Sequence, residues 1–151
     1  MSKPSEILET LEIVLSATAA AGSYSPVVQS GNILYVSGNL PVKDGMVVNP
    51  GTVGDTVDIG AANYAARICA INILGNAASH LGSVDRIKRI LKINGFVASA
   101  FGFSDQPKVI DGASELFLTI FGENGRHARS AVGVSALPRG ACVEIEAIIE
   151  V

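Results

Sequence analysis

Arg129-Ser130-Ala131-Val132-Gly133-Val134-Ser135 and, past Leu137-Pro138-Arg139-Gly140, Val143-Glu144-Ile145-Glu146-Ala147-Ile148-Ile149-Glu150 form the last part of the chain. The second run alternates. Val143, Ile145, Ala147 and Ile149 share one face of an extended strand and Glu144 and Glu146 the other, the period of a half-buried strand. In the first run Arg129, Ala131, Gly133 and Ser135 fall on one face and Ser130, Val132 and Val134 on the opposite one. Two strands joined by a Leu-Pro-Arg-Gly turn are expected, with Arg129, Glu144 and Glu146 converging.

Working back from this pair, Val109, Ile110, Ala113, Leu116, Phe117, Ile120 and Phe121 recur at helical spacing from Lys108 to Phe121, with Gly122 and Gly125 as stop signals. Arg89 to Val97 is rich enough in β-branched and aromatic residues for a strand. Before it, Asp58 can cap a long helix from Ile59 to Leu81 that stops at Gly82. Ile59, Ala62, Ala66, Cys69, Ile73, Ala77 and Leu81 lie near one stripe, and their small size suits close approach to a sheet. A helix leading into a strand makes a right-handed βαβ crossover the expected connection. Val27 to Gln29, Ile33 to Val36 and Met46 to Val48 read as short strands, with Ser30-Gly31-Asn32 and Lys43-Asp44-Gly45 as turns. Ser5 to Leu15 carries Ile7, Leu8, Leu11, Val14 and Leu15 at helical spacing. The order αβββαβαββ predicts an α+β sandwich with two helices on one face of a mixed sheet and an extra N-terminal helix. The other face then calls for burial against another subunit.

The 151 residues suit a single domain spanning 1–151, with 1–21 as a helical extension. Apolar residues make up 48 %, and counting the 16 glycines while leaving out tyrosine brings the figure to about 57 %, above the 45–50 % of ordinary domains. Charged residues reach only 17 %. A chain this apolar is expected to cover part of its surface with other subunits. A net charge of −3 argues against nucleic acid, which needs a concentrated positive surface, and the Lys88, Arg89, Lys92 cluster suits a solvated strand end. The uncharged stretch Ile13 to Val42 is broken by Gly22, Pro26, Gly31, Gly38 and Pro41, so no membrane span is expected. Glu6, Glu9 and Glu12 stand where a signal peptide would be basic. Cys69 and Cys142 lie far apart without metal or redox spacing and read as buried thiols of a cytoplasmic protein. His80 and His127 lack partners at ligand spacing, so a zinc or other metal site has little support.

Candidate chemistry rests on few residues. Arg129 opens a strand after a loop, where its planar fork can meet a carboxylate ligand, although a cross-strand pair with Glu144 or Glu146 is the commoner use of such spacing. Tyr24 sits between Gly22 and Pro26 in irregular backbone and can be a core-edge residue or a donor at a pocket mouth. Ser37-Gly38-Asn39 is too short to cradle phosphate, and no dinucleotide or Walker fingerprint occurs.

As a set, Arg129-Ser130-Ala131-Val132-Gly133-Val134, Leu137-Pro138 and Val143-Glu144-Ile145-Glu146-Ala147 resemble the C-terminal signature of the YjgF/Rid (reactive intermediate deaminase) family. Tyr24 and Ser37-Gly38-Asn39-Leu40-Pro41 resemble its N-terminal half, so the likeness covers roughly residues 22 to 151. The N-terminal helix, with Asn94-Gly95-Phe96-Val97 and Asp105-Gln106-Pro107, resembles a longer-chain branch. The resemblance implies a chorismate-mutase-like fold, a homotrimer and clefts between subunits. It implies cofactor-free hydrolysis of enamines and imines, such as 2-aminoacrylate, to 2-keto acids and ammonia. Arg129 matches the arginine that binds the substrate carboxylate, and Glu144 the glutamate that positions the attacking water. Tyr24, Ser37 and Gly38 match residues around the ligand. Ala131 stands where the archetype has cysteine, so the site uses no thiol there. Asp111 stands where asparagine is frequent, which places a negative charge beside the carboxylate site.

Such chemistry is physically reasonable, since an imine carbon is already electrophilic and needs orientation, a placed water and a proton path. Two other readings compete. A non-enzymatic trimer could bind a small carboxylate metabolite through the same arginine. A ribonuclease or translation inhibitor, the older assignment of relatives, fits poorly with the acidic charge and the lack of an aromatic stacking platform.

Overall fold

The apolar face of the last strand has to be buried, and the chain achieves this by placing that strand in the middle of the sheet. The computed structural model describes residues 2–151. In chain order the elements are α1 (Pro4–Thr10), β1 (Val27–Ser30), β2 (Ile33–Asn39), β3 (Val42–Lys43), β4 (Met46–Val47), α2 (Ile59–Leu81), β5 (Arg89–Ala98), α3 (Gln106–Phe121), β6 (Ala128–Val134) and β7 (Val143–Glu150). Short 3-10 turns occupy Val84–Arg86, Gly122–Gly125 and Pro138–Gly140. The main sheet runs β1-β2-β7-β5-β6, and β3 with β4 forms a separate hairpin. It is the α+β architecture expected from the sequence, a mixed sheet with α2 and α3 packed on one face.

The C-terminal strands do not form a hairpin. β7 is antiparallel to both β2 and β5, whereas β6 runs parallel to β5 on the far edge. Leu137-Pro138-Arg139-Gly140 therefore carries the chain past the end of β5 rather than turning it back on β6. Because β2 and β5 both oppose β7, they point the same way, and α2 connects them as a crossover with β7 inserted between. The third expected strand also leaves the sheet. Asp44 and Gly45 adopt positive φ (53° and 77°), which matches a tight type I′ hairpin, and its two-residue strands are too short to extend the main ladder.

Helix α2 starts where Asp58 accepts a hydrogen bond from the Ala61 N–H (2.8 Å) and ends at left-handed Gly82, whose N–H bonds the Ala78 carbonyl. It is buried on more than one side because the sheet, α3 and the N-terminal segment all contact it. Gly75 and Gly112 permit two of these approaches: a side chain at Gly75 would strike the Ser16 carbonyl, and one at Gly112 the Asn63 carbonyl. The N-terminal helix is shorter than its Ser5 to Leu15 periodicity predicts. Glu12 turns left-handed (φ 58°), and Ile13 and Leu15 reach the core from extended chain that crosses α2 as a strap. Helix α3 begins two residues earlier than expected, with Pro107 in its first turn.

Thirty buried apolar residues form one core between sheet and helices, Phe117 the largest fully buried among them. The opposite sheet face stays uncovered in the single chain. Tyr35, Val28 and Val132 lie there and are 50 %, 54 % and 46 % exposed. Gly112→Ala tests the close helix packing, since its Cβ meets backbone that cannot swing aside. A net loss of about 1–3 kcal/mol is expected from overpacking. Chemical denaturation with an unchanged m-value and a lowered midpoint would show it, and an unchanged midpoint would contradict it.

Candidate functional site

Ser37 and Gly38 owe their position to a bulge in β2. Val36 pairs with Ala147 and Asn39 with Ile145, so β2 carries one residue more than β7 over this stretch. A bulge re-aims side chains, and this one turns Asn39 inward and leaves Gly38 against the last strand. Asn39 accepts from Asn76 Nδ2 (3.0 Å) and donates to the Ser37 carbonyl (2.8 Å). Asn76 also holds the strap at both ends of Thr18, accepting from its N–H and donating to its Oγ1, each at 2.8 Å. Four residues away on the same helix, Asn72 donates to the carbonyls of Leu40 and Val42, both at 3.0 Å. The two asparagines tie α2 to the strap, the bulge and the β3–β4 hairpin.

These elements enclose a cavity of about 470 Å³ lined by the strap, Tyr24, Ser37, Gly38, the two asparagines and Arg139. Ser37 donates to the Ser25 carbonyl (2.7 Å), and the Tyr24 hydroxyl accepts from the Ala21 N–H (3.3 Å). Glu144 lies on the other side of Gly38. A Cβ at Gly38 would sit 3.0 Å from the Glu144 Cδ, so glycine is what lets the carboxyl approach the bulge. Glu144 is half-buried without a hydrogen-bond donor among the described residues. Burial, with the Glu146 charge adding to it, holds its carboxyl above the usual glutamate range. Glu146 accepts from Asn94 Nδ2 (3.1 Å) across the pair of strands.

Arg129 is elsewhere. It pairs in register with Ile93, whose β7 partner is Ala147, so all three face the helices, whereas Glu144 opposes Phe96 on the uncovered face. The convergence of Arg129 with Glu144 and Glu146 does not occur within the chain, because β5 separates their strands and the faces are opposite. Arg129 instead meets α3. Its Nη1 donates to Asp111 Oδ1 (2.8 Å) and to Ser114 Oγ (3.2 Å), leaving the Nε–Nη2 edge without a partner among the described residues. Ala131 follows on the same face, partly buried against the core. One chain thus holds two separate clusters, Tyr24 with Ser37, Gly38 and Glu144, and Arg129 with Asp111 and Ala131. Between β2 and β6 lie three strand spacings, about 14 Å.

Neither thiol belongs to either cluster as a nucleophile. Burial pushes Cys69 well up and Cys142 up to about 11, so both stay protonated at neutral pH. No three His, Cys, Asp or Glu side chains cluster among the described residues in a way that could hold a metal ion. No helix among them is long and apolar enough to cross a membrane. Ser114 and the Asn72/Asn76 pair were not legible as site residues from spacing around Arg129, although two asparagines one turn apart in an alanine-rich helix are a signal for buried polar work.

A family model described as "YjgF/chorismate mutase-like, putative endoribonuclease" matches residues 6–148. The chain belongs to the YjgF/Rid family. Among its YjgF/Rid relatives, protein TCP17 of Trypanosoma cruzi is 45 % identical over 145 residues, covering 95 % of this chain and 91 % of that one. The 2-iminobutanoate/2-iminopropanoate deaminase of Dermatophagoides farinae is 32 % identical, covering 85 % of each. The crystal structure of protein Atu1372 from Agrobacterium tumefaciens superposes with a TM-score of 0.90 at 46 % identity, covering 98 % of this chain and 91 % of that one.

The raised Glu144 carboxyl has a consequence for stability. The folded chain holds that proton more tightly than the unfolded chain, so the folded state is favoured at low pH and loses that advantage as pH rises through the folded-state value. Glu144→Gln should therefore melt higher than the parent near pH 7.5, with the difference vanishing near about pH 4. Thermal unfolding at both pH values decides it, and a lower melting temperature at pH 7.5 would contradict the burial argument.

Proposed function

We propose that the protein hydrolyses small enamine and imine intermediates of the 2-aminoacrylate class to 2-keto acids and ammonia, without a cofactor, in clefts between subunits of a homotrimer working in the cytoplasm. The observation that carries this reading is the split site. An arginine whose bidentate edge lacks a partner among the described residues and a half-buried carboxyl that lacks a donor among them lie on opposite faces of one sheet, and each lacks what the other supplies. Apposition of β6 of one subunit with the β2–β7 face of the next would complete the cleft. The exposed Tyr35, Val28 and Val132 on that face favour such apposition. The relationship to the mite deaminase supports the reaction class.

In this reading the substrate carboxylate docks on the Nε–Nη2 edge of Arg129. Glu144 from the neighbouring subunit accepts a proton from water as the water oxygen bonds to the carbon of the protonated imine, giving a neutral carbinolamine. The same carboxyl returns that proton to the nitrogen and, again ionised, takes the hydroxyl proton as the C–N bond breaks, so that ammonia and the keto acid leave. A carboxyl held above its usual range by burial suits this two-way transfer. Ser37 and Gly38 wall the cleft beside it.

A dehydratase assay that generates 2-aminoacrylate or its homologue tests the proposal through the rate of keto-acid release. Added protein should accelerate release. Arg129→Ala should lower kcat/KM about 10- to 100-fold, the loss of a charge-assisted contact, and Glu144→Gln should lower kcat about 100-fold or more. Light scattering should return three chain masses. Parent protein that gives no acceleration rules out this substrate class.

A further inference from the structure

Asp111 changes what Arg129 can recognise. The guanidinium is already bonded to a carboxylate of its own chain at 2.8 Å, and that pair is open to solvent, the side chains being 25 % and 45 % exposed. An incoming anion thus meets a neutralised pair. Nearby cations do not restore the missing charge: Lys108 is paired with Asp105 and Arg126 with Glu123. From Asp105 to Arg129 acidic residues outnumber basic ones. His127, which packs edge-on against Phe117 just ahead of Arg129, is kept neutral by burial above all. What remains is a donor edge on Arg129 beside an acceptor, the second oxygen of Asp111, which bonds nothing else among the described residues.

We propose that Asp111 is a specificity-determining residue that makes this cluster select a zwitterionic head group, a carboxylate beside a protonated nitrogen, over a plain 2-keto acid anion. The inference rests on imine hydrolysis for the identity of the two ligands, since the iminium form of an imino acid is such a zwitterion and its keto-acid product is not. Arg129 takes the carboxylate of either. Asp111 attracts the N–H group of the first and repels the uncompensated charge of the second, so the substrate is held and the product let go. Two unit charges about 6 Å apart at an effective dielectric of about 40, between protein surface and bulk water, discriminate by about tenfold (~1.4 kcal/mol).

L-alanine and pyruvate share a carboxylate and carbon skeleton and differ at this one feature, so they serve as probes in an NMR titration of the intact protein. The wild type should bind alanine more tightly than pyruvate. Asp111→Asn, isosteric and uncharged, should shift that ratio about tenfold toward pyruvate. Ser114→Ala removes the other Nη1 partner without altering charge and should leave the ratio near that of the wild type. Arg129→Ala should weaken both ligands. Wild-type preference for pyruvate, binding of neither ligand, an unchanged ratio in Asp111→Asn, or an equal shift in Ser114→Ala would each overturn the inference. The wild-type comparison stands even if a variant fails to fold. Accelerated imine hydrolysis with unselective binding sinks this inference alone, whereas selective binding without acceleration sinks the hydrolysis reading alone.

Discussion

The rest of the molecule depends on β7 being bonded on both edges. A strand with neighbours on each side and helices on one face has to send its apolar side chains to the helices, and Val143, Ile145, Ala147 and Ile149 go there with almost no exposure. Glu144 and Glu146 are thereby committed to the other face. The parallel register of β5 and β6 commits Arg129 to the helix face with equal force, because a one-residue slip would also expose Ala131 and bury Ser130 and Val132. The separation of arginine and glutamate is thus a consequence of sheet periodicity, and no local rearrangement of side chains removes it. A single chain with this fold can own both groups but cannot use them together on one small ligand.

Within that constraint, the bulge and the two asparagines do the positioning. Without the bulge at Ser37 and Gly38, β2 would keep a plain ladder and Asn39 would not reach Asn76. Buried amides are costly unless satisfied, and each of these is held by several bonds. Their cost is offset by what they connect: a strap that lacks secondary structure, a bulge and a two-residue hairpin. Gly75 serves the same end by letting strap backbone lie against the helix. The cavity walls are therefore anchored from α2, a rigid element, although the walls themselves are irregular.

How much of this was legible beforehand follows from the range of the interactions. Asp58 as a cap, Gly82 as a stop, the Asp44-Gly45 turn and the alternation of β7 are each decided by neighbours within a few residues, and the structure agrees with each. Strand order is not decided locally. Nothing in the spacing of Arg129 and Glu144 says that β5 inserts between their strands, so the cross-strand pairing inferred from common usage gave way to the bond with Asp111. The end of α1 was obscured for a similar reason: Leu15 keeps its apolar character because it packs on the core, whatever the backbone conformation that brings it there. Tyr24, Ser37 and Gly38, grouped by motif likeness because their spacing carries no helical or strand period, line one cavity in the structure.

The apolar excess and the scarcity of charge take on a geometric meaning once the faces are assigned. Thirty residues of core account for the apolar content of the covered face, yet Val28, Tyr35 and Val132 remain on the other, interleaved with Asn94, Phe96 and the two glutamates. Val28, Tyr35 and Val132 put apolar area on that face, while Glu144 stays half-buried there with no donor among the described residues. The mixture is what the proposed cleft requires, covered at its apolar positions and open at its carboxylates. Burial by a neighbour would raise the cost of ionising Glu144 further, strengthening the property on which the proposed two-way proton transfer rests.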